Sequence, residues 1–157
     1  MTDSFLAFSA EVTAFTIVEL QGTGQAKAYR DTVIDVVGAE VFDELLDAYD
    51  MAIAGAPETR TERLRTHIFG DEKLGPIARN IIKLWYVGIW YQLPRAWTEA
   101  FGARPKDSTF VALADGYPAY PDGLLWVAIG ANPPGAKGPG YASWAEPPQI
   151  PPVPVSP

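Results

Sequence analysis

The sequence predicts a mainly α protein, a single helical domain followed by a long extended Pro/Gly-rich arm, and three observations carry that expectation. Apolar residues recur at three- and four-residue steps through most of residues 5–91, the period of amphipathic helices. Breakers at Gly22-Thr23-Gly24, Gly38, residues 54–58 (AGAPE) and Leu93-Pro94 divide this pattern into helix-sized pieces. Nine of the 15 prolines fall between Pro133 and Pro157, in a stretch with the period of neither helix nor strand. Proline holds such a backbone extended. The expected division is a helical domain over residues 1–132 and an arm over residues 133–157 packed on a partner subunit. At 157 residues the chain is long enough to bury a core without disulfides or a structural metal.

Each element follows from its residues. Phe5, Leu6, Phe8, Val12 and Phe15 form one stripe, with Thr2, Asp3 or Ser4 available as cap. Ala26, Tyr29, Val33, Val36 and Val37 form a second that stops at Gly38, a residue suited to ending helices. Val41, Phe42, Leu45, Leu46, Tyr49 and Ile53 share a face of the third helix. Residues 59–68 read as a short charged helix leading to a turn at Phe69-Gly70-Asp71. A helix over residues 74–91 opens on Gly75-Pro76 and is apolar on nearly every side (IIKLWYVGIWYQL), so it should be surrounded by protein. Residues 96–102 make a short excursion carrying Trp97 and Phe101. Residues 108–114 (STFVALA) suit a brief strand, and residues 121–130 (PDGLLWVAIG) a last helical turn or two.

Charge excludes several functions. With 19 acids against 12 Lys and Arg the formal net charge is -7. Nucleic-acid binding depends on clustered cations and counterion release, and the same sign disfavours anionic membranes. Seven acids lie between Asp31 and Asp50 with no Lys or Arg among them, and at helical spacing they read as a solvated face. The absence of cysteine removes disulfides, thiol nucleophiles, zinc thiolates and iron–sulfur ligation together. No segment reaches the roughly 18 apolar residues of a membrane span. The opening MTDSFLAFSAEV has no basic or apolar region of a secretory signal.

No catalytic constellation emerges. His67 is the single histidine, so it has no second histidine or cysteine with which to hold a metal, and none of the serines lies in a G-x-S-x-G elbow. The stretch from Gly130 to Gly138 has the glycine density of a phosphate loop. However, Pro133 and Pro134 lack N–H groups, and no Ser or Thr follows Lys137 to hold magnesium. Gly22-Thr23-Gly24 lacks the preceding strand and third glycine of a dinucleotide fingerprint. The expectation is a chain without catalytic, cofactor or metal residues of its own.

The informative feature is aromatic. Trp85, Tyr86, Trp90, Tyr91, Trp97, Trp126, Tyr141 and Trp144 concentrate in the second half. Trp85 and Trp90 suit a core or an interface equally. Trp126, Tyr141 and Trp144 lie in or beside an arm unable to build its own core, where Trp and Tyr serve as interface anchors.

Two stretches are more specific: FGDEKLGPIARNIIKLWYVGIWYQLP (residues 69–94) and GLLWVAIGANPPGAKGPGYASWAEPP (residues 123–148). They resemble the small, or gamma, subunit of the membrane-associated FAD-dependent sugar and polyol dehydrogenases, the family of the sorbitol, fructose and glucose dehydrogenase complexes. Residues 5–15 and 22–49 are similar to weaker versions of the same pattern. The resemblance implies a non-catalytic helical subunit that assists folding, stability and export of a partner. That partner is an FAD-binding catalytic subunit of the glucose-methanol-choline oxidoreductase type, and in such families a multihaem cytochrome c often takes the electrons and provides membrane attachment. The implied candidate partner interface comprises Trp85, Trp90, Tyr91, Trp126, Asn132, Lys137, Tyr141 and Trp144. Family members commonly begin with a twin-arginine signal, which this sequence does not show. The expected location is periplasmic or membrane-associated through the partners, with the cytosol as the alternative. A rival expectation is a free-standing adaptor whose Pro-x-x-Pro spacings, from Pro148 to Pro157, recruit a polyproline-binding domain.

Overall fold

Hydrophobic periodicity resolves into a mainly α architecture in the computed structural model, which describes residues 4–102, 109–110 and 118–133. The arm beyond Pro133 lies outside the described residues. The first predicted stripe is two helices rather than one, α1 (Ser4–Thr13) and α2 (Ile17–Gly22). Ala14 breaks them apart with φ 62, a left-handed conformation costly for a residue with a Cβ. Thr16 then opens α2 with a capping box. The Glu19 N–H donates to Thr16 Oγ1 at 3.3 Å, and the Thr16 N–H donates to Glu19 Oε2 at 2.7 Å. The change of direction turns Phe15 edge-on against Tyr86, with ring centroids 6.1 Å apart.

Helices α3 (Ala26–Val37) and α4 (Ala39–Ile53) match the predicted second and third stripes, and Gly38 joins them at φ 87. Tyr29, Val33 and Val36 face inward from α3, and Phe42, Leu45 and Tyr49 from α4. The acids between residues 31 and 50 are exposed, as a solvated face requires, with Glu44 paired to Lys73 and Asp31 to Lys27. The charged segment is composite: a 3-10 turn (Pro57–Thr59), α5 (Arg60–Leu64) and a π turn (Arg65–Phe69). The Gly70 N–H closes the π turn on the Arg65 carbonyl at 2.7 Å. Arg63 Nε ties the segment back to the Ala52 carbonyl at 2.7 Å.

Helix α6 (Leu74–Val87) is the centre of the fold, packed against α1, α3 and α4. Asp71 Oδ1 accepts the N–H groups of Lys73 and Leu74 at 2.8 and 2.7 Å and so starts it. Two sequence expectations are corrected. The helix ends at Val87, not Tyr91, because Gly88 takes a left-handed φ of 66 and donates to the Leu84 carbonyl at 2.8 Å. Nor is it apolar all round: Arg79 and Lys83 are exposed on one side, while Leu74, Ile77, Ala78, Ile81, Leu84 and Trp85 are buried. Each large apolar side chain so buried contributes roughly 1.5–3 kcal/mol, so this helix anchors the core.

After α6 the chain makes a two-residue strand, β1 (Ile89–Trp90), paired antiparallel with β2 (Thr109–Phe110). The pair meets the predicted strand at residues 108–114 only at its start; the rest lies outside the described residues. Between them, α7 (Arg95–Phe101) is pinned by Trp97, whose Nε1–H donates to the Lys73 carbonyl at 2.7 Å. A 3-10 turn (Tyr120–Asp122) and α8 (Leu124–Ala128) match the expected last helical turns, and α8 packs on α6. Among the described residues no helix is long and apolar enough to cross a membrane.

Candidate docking surface

The segment from Ala119 to Gly130 is held on the core by small residues and a long-range hydrogen bond. Gly88 is one requirement: a Cβ there would stand 2.7 Å from the Tyr120 nitrogen, in addition to the strain of its positive φ. Gly123 is the other, since its Cβ would lie 2.5 Å from the Tyr86 carbonyl oxygen. With both backbones in contact, Gln25 Nε2 reaches the Ala119 carbonyl at 3.2 Å. Tyr86, whose carbonyl faces Gly123, donates its hydroxyl to the Thr13 carbonyl at 3.0 Å and so ties α6 to the end of α1. Below the segment, burial suppresses ionisation of the Tyr29 hydroxyl, and the nearby Asp122 charge adds to the effect.

This framework leaves an open cleft of about 430 Å³ between α2 and α8. Phe15 and Gly22 form one wall; Pro121, Trp126 and Val127 form the other, and Pro133 closes the end. Trp126 is fixed in place: its Nε1–H donates to the Tyr120 carbonyl at 2.9 Å, and its ring meets Tyr120 edge-on at 5.1 Å. On the same wall Val127 is 71% exposed, and Ile129 just beyond it is 59% exposed. Glu19 and Asp122 supply the charge at the rim. The hydrogen bond from the Thr16 hydroxyl, with that from its backbone N–H, holds the Glu19 carboxyl below its ordinary value, so it remains an anion at neutral pH.

The sequence-predicted interface residues are scattered by the fold. Trp126 and Asn132 come together on the cleft. Tyr91 is 37% exposed but stands apart from it, with Lys83 Nζ 4.8 Å above its ring and its carbonyl accepting Asn80 Nδ2 at 2.6 Å. Trp85 and Trp90 are corrected to core residues, 1% and 0% exposed. Trp85 stacks on Phe5 at 6.4 Å and meets Tyr29 edge-on at 4.9 Å, so neither face of its ring is free for a partner. Lys137, Tyr141 and Trp144 lie outside the described residues.

Phe15, Glu19 and Val127 belong to the surface but not to the predicted set. The T-x-x-E spacing of Thr16 and Glu19 was a readable helix start; that it faces α8 depends on contacts between distant parts of the chain. His67 is exposed on the π turn. Comparison of the chain with family models, curated proteins and solved structures gives no match.

Proposed function

We propose that this chain is a non-catalytic accessory subunit of a flavin-dependent sugar or polyol dehydrogenase. It docks on an FAD-carrying catalytic subunit of the glucose-methanol-choline oxidoreductase type and supports that partner's folding, stability and export. The observation that carries the reading is the exposure of Val127 and Ile129 beside the immobilised Trp126 ring, within one of the two motifs that resemble the small-subunit family. Exposed apolar residues grouped around an aromatic anchor favour a protein interface over a solvated surface. Flavin, and haem c where a cytochrome subunit takes part, belong to the partners in this reading. The complex is periplasmic or membrane-associated through them.

Co-expression with a flavoprotein of the glucose-methanol-choline oxidoreductase type from the same genome tests the proposal. The expected result is a yellow complex that oxidises a sugar or polyol, with the flavoprotein insoluble or inactive when expressed alone. Within that complex Trp144→Ala should weaken association at least about thirtyfold, the loss expected of an anchor ring of about 2 kcal/mol, while Pro154→Ala changes little. Stoichiometric flavin on the isolated chain, or a flavoprotein equally soluble and active without it, would overturn the reading. The reverse ranking of the two variants would favour the polyproline adaptor.

A further inference from the structure

We infer that the cleft between α2 and α8 receives a segment of the partner with an apolar side chain flanked by Lys or Arg. The inference deepens the docking reading given above and rests on it. Apolar specificity comes from the walls: Phe15 packs edge-on against Tyr86 and Trp126 is held by its bond to the Tyr120 carbonyl, so an entering side chain meets a slot already in place. The sign of the flanking charge comes from Glu19 and Asp122. Both are exposed at the rim, and among the described residues no Lys, Arg or His lines the cleft. Glu19 in particular is pinned by the capping box, so its charge is fixed in position rather than spread over rotamers. The chain's net charge of -7 acts in the same direction, steering cationic segments toward it and acidic ones away.

The test uses the full chain and three synthetic peptides: Leu-Phe flanked on both sides by lysine, the same pair flanked by glutamate, and Ser-Ser flanked by lysine. The readout is the indole N–H resonance of Trp126 in a ¹⁵N-labelled sample, assigned with Trp126→Phe. The lysine-flanked Leu-Phe peptide should shift it saturably, and the other two should bind at least about tenfold more weakly. Glu19→Gln retains a capping-box partner while removing the charge, and with Asp122→Asn it should weaken the lysine-flanked peptide by about fivefold per acid, the upper range for exposed ion pairs. Val127→Glu should abolish saturable binding. Equal binding of the glutamate-flanked peptide, or no response at Trp126 to the lysine-flanked Leu-Phe peptide, would overturn the inference. The peptides need no flavoprotein, so the two readings fail separately. Peptide binding without a flavoprotein partner removes the proposed function and keeps the cleft; a flavoprotein complex indifferent to Val127→Glu and to the two neutralised acids does the opposite.

Discussion

Gln25 and Ala119 are joined by a hydrogen bond of 3.2 Å although 94 positions separate them in the chain, and both are buried. The bond ties the start of α3 to the segment that carries Trp126 and Val127, so the docking surface depends on a residue distant from it in sequence. Gln25→Leu keeps most of the volume and removes this tie, leaving the Ala119 carbonyl with the Asp122 N–H at 3.2 Å as its donor. The expected cost is about 0.5–1.5 kcal/mol, the net worth of one hydrogen bond. A lowered urea midpoint with faster amide exchange at residues 119–130 than in α4 would match; an unchanged midpoint would not.

Close backbone approach makes a second prediction. Alanine at Gly123 must displace the Tyr86 carbonyl, and alanine at Gly88 must displace Tyr120 while holding a left-handed conformation. Each should cost roughly 1–3 kcal/mol. Gly22 lies at the end of α2 with nothing within 4 Å of an added Cβ. Gly22→Ala should be neutral or stabilise by up to about 1 kcal/mol. Thermal unfolding of the three variants separates strain from the general effect of removing glycine.

These contacts explain why some of the fold was legible in the sequence and some was not. The stripes of α3 and α4 depend on local periodicity, and Gly38 between them marks its own position, so both were readable. The end of α6 was hidden because Ile89, Trp90 and Tyr91 continue its apolar run. Gly88 ends the helix, and what bars a side chain there is the close approach of Tyr120, a tertiary contact. The division at Ala14 was hidden because nothing in an alanine announces a positive φ; the T-x-x-E spacing two residues later is the signal that would have marked the new start. For the docking surface, the aromatic pattern pointed to Trp126 and the resemblance to Asn132, but neither could separate Trp85 and Trp90 from them. Core and interface draw on the same large rings, and only packing against Phe5 and Tyr29 decides for Trp85. The resemblance to a small-subunit family carried the functional expectation, and it concerns partners rather than the core.

Tyr29 makes stability depend on pH at the alkaline end. Burial holds its proton more tightly in the folded chain than the ordinary value of 10.0 in the unfolded one. Below that value both states keep the proton and stability is unaffected. Above it the unfolded chain loses the proton first, so folding stability falls as pH rises. Tyr49, raised mainly by burial as well, contributes in the same direction. The Tyr29 hydroxyl has no hydrogen-bond partner among the described residues, so Tyr29→Phe should leave neutral stability unchanged or improved. It should also flatten the decline above pH 10 without abolishing it, Tyr49 remaining. Urea titrations of both proteins at neutral pH and above pH 10 provide the comparison, and identical alkaline declines would count against this role for Tyr29.

Val127 separates folding from docking. It is 71% exposed, and Ile129, which is 59% exposed, lies two residues further on. Replacing exposed residues away from caps, cavities and buried pairs changes stability by only about 0.5 kcal/mol in either direction. Val127→Asp and Ile129→Asp should therefore melt close to the parent protein and stay monomeric at least as readily, since each adds charge where apolar surface was exposed. Against the flavoprotein partner the same changes bring a carboxylate into a surface that is desolvated on docking, and a loss of at least tenfold, about 1.4 kcal/mol, is expected for Val127→Asp. Trp85→Ala is the opposite case. Its ring is 1% exposed between Phe5 and Tyr29, so truncation should cost about 3–5 kcal/mol of stability. Partner binding by whatever fraction remains folded should be little changed. Melting temperature and dissociation constant measured on the same preparations give the test. A Val127→Asp protein that unfolds early, or one that binds its partner as tightly as the parent, would remove this face from the interface.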